Sequence, residues 1–393
     1  MKRVLSLATL YPNAAAPRFG TFVARSLEAL AARRDWQVTV INPIGVPPVA
    51  FGRYRALKAA ATDGVEHSVA VHRPTFPLVP RVGGRINPAL IARTVLPLAR
   101  RLHAEAPFDL VDAQFFYPDG PAAARIARAL DLPLSIKARG SDIHYWSTRP
   151  WALAQMIAAG KHAGGLLAVS GSLAGDMATI GLPGDKVTVH YTGLDRDRFR
   201  PLQHTQLRRR LGHELGVALP DTAPVLVTLG ALLPHKGQSL VIDALADLPE
   251  RTVLLLVGRG DDEARLRAQA RSLGVADRVH FLGSLDHDLL PLVLSAANAM
   301  VLPSAREGLA NAWVEALACG TPLVITDAGG AREVLTAPEA GRIVARNARA
   351  IAEGVRELLE DPPQRQAVAA MAERFSWQTH AEALARYYES LLA

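Results

Sequence analysis

The sequence predicts an α/β protein whose parallel sheets carry helices on both faces, divided into two or three domains. Short aliphatic and β-branched runs recur at 3–9, 37–41, 110–113, 134–138 and 165–169, each followed by a loop and mostly by helical pattern. Such alternation calls for parallel pairing, because a parallel neighbour needs a crossover long enough to hold a helix. The same rhythm restarts with a strand at 225–230 and continues at 254–257, 279–283, 299–302 and 323–326, so a further domain follows the first. A chain of 393 residues is long enough for each domain to bury its own core.

Composition narrows the class. The only cysteine is Cys319, which rules out an intramolecular disulfide and fits a reducing compartment. Its place in a helical pattern reads as a small core residue. No apolar run approaches the ~20 residues that span a bilayer. Met1-Lys2-Arg3 and the apolar run behind it read as a first strand rather than a signal peptide, because Tyr11-Pro12-Asn13 reads as a strand-ending turn. Charge is uneven: residues 1–195 carry 22 Lys+Arg against 13 Asp+Glu, +9, whereas 196–393 carry 22 against 24, −2. The basic half fits an acidic partner (membrane lipid, pyrophosphate or nucleic acid) or simply a soluble basic face. No internal repeat, zinc-type Cys/His spacing or Ser-His-Asp signature is present. Asp195-Arg196-Asp197 spells D-x-D in a linker rather than at a strand end, where metal binding is not expected.

In chain order, Gly20 opens a helix running to about Arg33; it allows either close approach of a phosphate or sugar, or an ordinary turn. Residues 43–107 are rich in Pro, Gly and Arg, and 86–101 form a basic helix with one apolar face, suited to a membrane surface or to docking on the domain. Two loops follow strand ends, 114–120 and 137–144, where α/β sheets bind ligands. In the second, Arg139 can clamp an anion, and Asp142 has two readings, a helix N-cap or a contact to a ligand hydroxyl. In the second domain, Lys236 lies in the loop after the first strand. Gly258-Arg259-Gly260 starts a dinucleotide fingerprint, but Glu263 replaces its third glycine, which weakens an NAD reading.

The densest signal is the stretch 302–322, LPSAREGLANAWVEALACGTP. It reads as a strand end, a loop holding Glu307 and Gly308, and a helix with Asn311 as N-cap, ended by Gly320 and Pro322. A helix start offers backbone N–H groups and a positive dipole to phosphate. Glu307 and Glu315 stand eight residues apart, about two turns if the helix extends back, so both can face one site. An anion site flanked by two acids suggests a nucleotide sugar.

The run from Glu307 to Pro322 resembles the E-x7-E signature of the retaining GT-B glycosyltransferases of family 4 (glycosyl transferases group 1). The resemblance covers the whole chain, most strongly 225–335. It implies an α/β, GT-B fold, two Rossmann-like doubly wound parallel-sheet domains facing across a cleft. The implied division is 1–195 on the acceptor side, 196–375 on the donor side, and a helix at 376–393 crossing back. Lys236 is implied on the donor diphosphate, Glu307 on the donor sugar and Glu315 on the ribose. Gly20, Gly258, Leu282, Gly308, Leu309, Ala310 and Asn311 complete the donor site, and Arg139 and Asp142 face the acceptor. Many relatives have histidine in place of Arg139, asparagine in place of Thr192 and a second cation in place of Ala231; a histidine's role does not transfer to Arg139.

The expected function is therefore transfer, with retention, of a sugar from a nucleotide diphosphate sugar, UDP- or GDP-linked, to a glycan or polyprenyl-diphosphate-linked acceptor in cell-surface polysaccharide biosynthesis. No cofactor, metal or nucleic acid is expected. The expected location is the cytoplasm, with an anionic membrane surface as partner at the inner face of the cell membrane. The alternatives are a nucleotide-sugar epimerase of the same fold, an NAD-dependent enzyme, and a non-catalytic sugar- or lipid-binding module.

Overall fold

The computed structural model describes residues 1–79, 83–202, 207–220 and 222–393. The chain divides into two compact units, Met1–Gly193 with Trp377–Ala393, and Leu194–Ser376.

The first unit's strands are β1 (Lys2–Leu7), β2 (Trp36–Ile41), β3 (Ile44–Val46), β4 (Gly64–Glu66), β5 (Val69–His72), β6 (Thr75–Pro77), β7 (Leu110–Ala113), β8 (Leu134–Ala138), β9 (Gly165–Ala168) and β10 (Val187–Val189). Eight of them form one sheet in the order β10-β9-β8-β7-β1-β2-β5-β4, and β3 and β6 pair separately. Among the described residues, all of these strand pairs are parallel except β4 with β5. The helices are α1 (Thr21–Ala32), α2 (Arg53–Ala59), α3 (Asn87–Glu105), α4 (Asp119–Leu130), α5 (Ser141–Trp146), α6 (Pro150–His162) and α7 (Gly171–Thr179).

The second unit holds β11 (Val225–Leu229), β12 (Val253–Val257), β13 (Val279–Gly283), β14 (Ala299–Leu302), β15 (Leu323–Thr326) and β16 (Gly341–Val344) in one parallel sheet, ordered β13-β12-β11-β14-β15-β16. Its helices are α8 (Leu207–Leu215), α9 (Gln238–Ala246), α10 (Glu263–Ser272), α11 (Leu290–Ala296), α12 (Asn311–Ala318), α13 (Ala331–Val334), α14 (Ala348–Glu360) and α15 (Arg365–Ala370). Helix α16 (Trp377–Ser390) belongs to the first unit.

Strands such as β12, VLLLV, and β15, LVIT, are buried along their whole length. That is why they read as continuous apolar runs rather than alternating ones. On one face of the first sheet, Val23, Leu27 and Leu30 of α1 pack with Leu384 and Tyr388 of α16 over β1 and β2. Trp36 meets Tyr388 edge-on, ring centres 5.4 Å apart. On the other face, Ile91, Ala92, Val95 and Ala99 of α3 are buried in the core. The basic helix expected at 86–101 is thus a docked helix, its apolar face used inside the unit.

In both sheets the chain moves outward from one strand and then returns to its other side. The reversal lies between β1 and β7 in the first unit and between β11 and β14 in the second. At such a point the loops beyond the strand C-termini part and leave a crevice.

Candidate active site

In the second unit, the crevice beyond β11 and β14 is framed by residues 230–237 and 303–310. The β11 loop turns through Pro234–Lys236 and ends at Gly237, whose left-handed φ of 79° starts α9. A Cβ at Gly237 would strike the carbonyl oxygen of Pro303, so only glycine lets the two loops touch. The Ala305 N–H donates to the His235 carbonyl at 2.7 Å. Behind the β14 loop, the Gly330 N–H donates to the Gly308 carbonyl at 2.7 Å, and the Thr326 hydroxyl to the Ser304 carbonyl at 2.5 Å.

This stitching brings Lys236 and Glu307 together. Lys236 Nζ lies 2.5 Å from Glu307 Oε1, with 19 and 10 % of the two side chains exposed. Glu307 stands in the loop, ahead of α12, not on an extension of it. Asn311 is the first helical residue and is exposed; Ala310 is the cap residue, and no side chain caps the helix. The expected N-cap role of Asn311 is therefore corrected: backbone ties of the loop, not a side-chain cap, decide where α12 begins. Glu315 lies within α12, its side chain 13 % exposed, with His287 Nε2 at 3.8 Å. His287 Nδ1 accepts from Arg198 at 2.7 Å, which turns an Nε2 proton toward Glu315.

Arg346, in the loop between β16 and α14, joins the site without any sequence motif to mark it. Its Nε donates to the Pro303 carbonyl at 3.0 Å and its Nη2 to the Pro234 carbonyl at 3.3 Å. One guanidinium thus spans both loops. Its partners are backbone oxygens, which leave no mark in a sequence. Arg306 is exposed, and Ala231 offers its carbonyl to Gln238 at 2.9 Å.

Gly258 and Leu282 lie at the ends of β12 and β13. A Cβ at Gly258 would strike the Gly230 carbonyl oxygen, so this glycine serves the approach of two strand ends. Leu282 is half-buried in β13, whose register against β12 slips beside Val257.

Gly20, Arg139 and Asp142 belong to the first unit. Gly20 is buried with φ of 74°, and a Cβ there would lie 2.6 Å from the backbone of Leu10. What faces its Cα is the chain itself. The Asp142 carboxylate is buried and accepts from the amides of Phe116 at 2.8 Å, Arg139 at 2.9 Å and Gly140 at 2.8 Å. Its partners are the chain's own amides, so it shapes the loop; the N-cap reading is corrected, because Gly140 is the cap residue of α5 and no side chain caps that helix. Arg139 donates through Nε to the Gln114 carbonyl at 2.8 Å and through Nη2 to Gln114 Oε1 at 2.6 Å, and lies over the Phe22 ring. Burial pulls its guanidinium down to about 10, so it stays charged at neutral pH.

The first unit's crevice also holds Asp119, whose carboxylate accepts from the Thr9 amide at 3.0 Å and hydroxyl at 2.6 Å. Burial, and the nearby Asp142 and Asp112, push it up to about 7 against the pull of Thr9. Deeper, Lys137 Nζ donates to His190 Nδ1 at 2.8 Å, and His190 Nε2 to the His380 carbonyl at 3.0 Å. His380 donates from Nδ1 to the Tyr191 carbonyl at 2.7 Å and accepts from the Ser26 hydroxyl at 2.6 Å. Burial holds Lys137 and both imidazoles well below their usual range.

Elsewhere, Asp195 Oδ1 caps its own turn, accepting from the amides of Asp197 at 3.2 Å and Arg198 at 3.1 Å. Cys319 is buried, which pushes its thiol up to about 12. Among the described residues, no helix is long and apolar enough to cross a membrane.

Two family models match the chain: Glycosyltransferase Family 4 over residues 20–198, and Glycosyl transferases group 1 over residues 216–375. The chain is 34% identical to a GDP-mannose-dependent alpha-(1-6)-phosphatidylinositol monomannoside mannosyltransferase of Mycolicibacterium smegmatis, over 49% of this chain and 53% of that protein. The chain thus spans about half the length of that relative. It is 26% identical to the putative teichuronic acid biosynthesis glycosyltransferase TuaC of Bacillus subtilis, over 90% of this chain and 88% of that protein. Among solved structures, Anabaena HepE in complex with UDP matches with a TM-score of 0.75 and 22% identity, over 99% of this chain and 100% of that one. Sucrose-phosphate synthase from Thermosynechococcus elongatus matches with a TM-score of 0.78 and 21% identity, over 100% of this chain and 99% of that one. At these identities the structural likeness is one of fold, and the fold class is GT-B.

Proposed function

The chain belongs to the group 1 glycosyltransferases of family 4, and from that premise we propose that it transfers a sugar, with retention, from a nucleotide diphosphate sugar to a glycan or lipid-linked acceptor. The observation that carries the proposal is the Lys236–Glu307 pair at the second unit's crevice. A half-buried ion pair beside a helix start is poised for exchange: a diphosphate takes the ammonium, and a sugar hydroxyl donates to the freed carboxylate. UDP- or GDP-linked donors are favoured, since one relative is named for GDP-mannose and a structural neighbour was solved with UDP. Acceptors at the inner face of the cell membrane fit the lipid named for the mannosyltransferase and the polymer named for TuaC.

Departure of the nucleotide diphosphate leaves positive charge on the anomeric carbon and negative charge on the leaving oxygens. Lys236 and the N-terminus of α12 oppose the second of these, without a metal. The acceptor hydroxyl then attacks from the face the diphosphate leaves and passes its proton to the departing phosphate, a front-face displacement that retains configuration. Glu307 orients the sugar and Glu315 the ribose.

Thermal shift against UDP-, GDP- and ADP-sugars tests the donor, since a ligand at a hundred times its Kd adds about 2.7 kcal/mol to the native state. Transfer to a lipid-extract acceptor in EDTA, with the product anomer read by NMR, tests retention and metal independence. If no nucleotide sugar stabilises the protein, the proposal falls.

A further inference from the structure

We propose that residues 48–59 of the first unit form the surface by which the protein docks on an anionic phospholipid bilayer, deepening the membrane-acceptor part of the function proposed above. Between Asp35 and Asp63 the chain has no acidic residue, and Arg53, Arg55 and Lys58 stand within that stretch. The segment is thus cationic, with no internal counter-charge.

Its apolar residues face outward. Val49 is 75 % exposed and Phe51 66 % exposed, among the most exposed large apolar side chains of the molecule. Helix α2 buries none of its residues, unlike α3, which sinks Ile91, Val95 and Ala99 into the core. Phe51 lies edge-on to Tyr54, 6.4 Å between centres, and Arg53 lies over the Tyr54 ring at 5.1 Å. Arg53 donates to the Tyr54 hydroxyl at 3.2 Å, and among the described residues neither Arg55 nor Lys58 has a carboxylate partner. A hollow of about 560 Å³ lies between the two halves of the segment, lined by Pro48, Val49, Ala50, Arg55, Lys58 and Ala59.

Aliphatic and aromatic tips beside unpaired cations are the chemistry of an interfacial anchor. The tips enter the headgroup–acyl boundary, and the cations remain among lipid phosphates. Charge complementarity selects anionic lipid over neutral lipid, because each Lys or Arg near such a surface adds attraction within a Debye length.

The test is cosedimentation of the full chain with phosphatidylglycerol-containing and with pure phosphatidylcholine vesicles at low salt. Wild type is expected to bind only the anionic vesicles and to release on raising salt. Replacing Arg53, Arg55 and Lys58 by Gln should weaken partitioning on the order of a hundredfold. Val49→Ser with Phe51→Ser should weaken it while leaving its salt dependence in place. The control replaces exposed Arg93, Arg100 and Arg101 of α3 by Gln, removes the same charge from the same unit, and should bind as wild type. Because the substituted side chains are exposed, every variant should keep its donor-induced thermal shift. Equal losses in the control and the α2 variant, or equal binding to neutral vesicles, would overturn the proposal while leaving the donor reading intact. Wild-type protein that ignores anionic vesicles at low salt would overturn it as well. A thermal shift lost in wild type would instead strike the glycosyltransferase reading.

Discussion

The two units share a doubly wound sheet, yet their crevices are furnished in opposite ways. Beyond β1 and β7, the first unit closes its crevice with its own groups. Asp119 takes the amide and hydroxyl of Thr9, Asp142 takes backbone amides on two loops, and Arg139 is tied to Gln114. Beyond β11 and β14, the second unit leaves one ion pair partly exposed, with an eight-residue helix starting beside it. The fold supplies a crevice in both places, but polar satisfaction decides which one offers groups to a ligand. Buried carboxylates with several donors each are costly to pull away. A single ammonium–carboxylate pair can be exchanged for a diphosphate and a hydroxyl with little net loss.

The sharpest way to break this contrast is at the exchangeable pair. Lys236→Ala should lower kcat about a hundredfold to a thousandfold, with a smaller loss of donor affinity, because the diphosphate gains charge as the bond breaks. Glu307→Gln should spare binding of free nucleotide diphosphate in calorimetry and impair transfer. Near-wild-type transfer by the Glu307 variant would make the motif a helix start and nothing more.

The first unit's crevice is probed through pH. Asp119 has a folded value of about 7, above its unfolded value of ~3.9. The folded state then holds more protons between those values, so this group's contribution to stability is full below ~3.9 and is lost as pH rises through 7. From pH 5 to 7 the loss is about 2 kcal/mol, at 1.36 kcal/mol per unit. His190 and His380 act with the opposite sign, since their lowered values favour the fold at higher pH. The measurement is therefore the difference between wild type and Asp119→Asn in hydrogen exchange of β1 and β7 amides. Parallel pH profiles for the two would remove Asp119 from the account.

Smaller effects sharpen the picture. Glu315→Gln should weaken nucleotide and nucleotide sugar alike, by roughly 1–3 kcal/mol, as read by calorimetry. Arg346→Gln frees two loops that each carry one member of the pair, and should cost about tenfold in kcat with little change in donor affinity. Arg346→Lys keeps the charge but not the fork, and should recover only part of the loss.

How far these features were legible depended on the range of the interaction. Fully buried strands such as β12 and β15 announce themselves as apolar runs, and the Glu307 motif lies in one contiguous stretch. β3, β6 and β10 have three residues each and no such run, so they gave no strand signal. Asn311 is a preferred cap residue by composition, but the helix starts where the loop is tied to Gly330, a contact the sequence does not display. Asp142 could be read either way until its amide partners were known. Arg346 and His380 carry no local sequence signal, because their partners are backbone carbonyls or side chains far along the chain; Ser26 and His380 are 354 positions apart.

That last separation bears on how the protein is made. Helix α16 supplies Leu384 and Tyr388 to the first unit's core and His380 to its buried polar chain. On the ribosome it emerges only after the whole of the second unit. Until then the nascent first unit shows water an open apolar groove over β1 and α1, where Trp36 awaits its ring partner. The unit begun first is therefore the one finished last, and during synthesis its groove, rather than the crevice beyond β11 and β14, is the surface on which a chaperone would act.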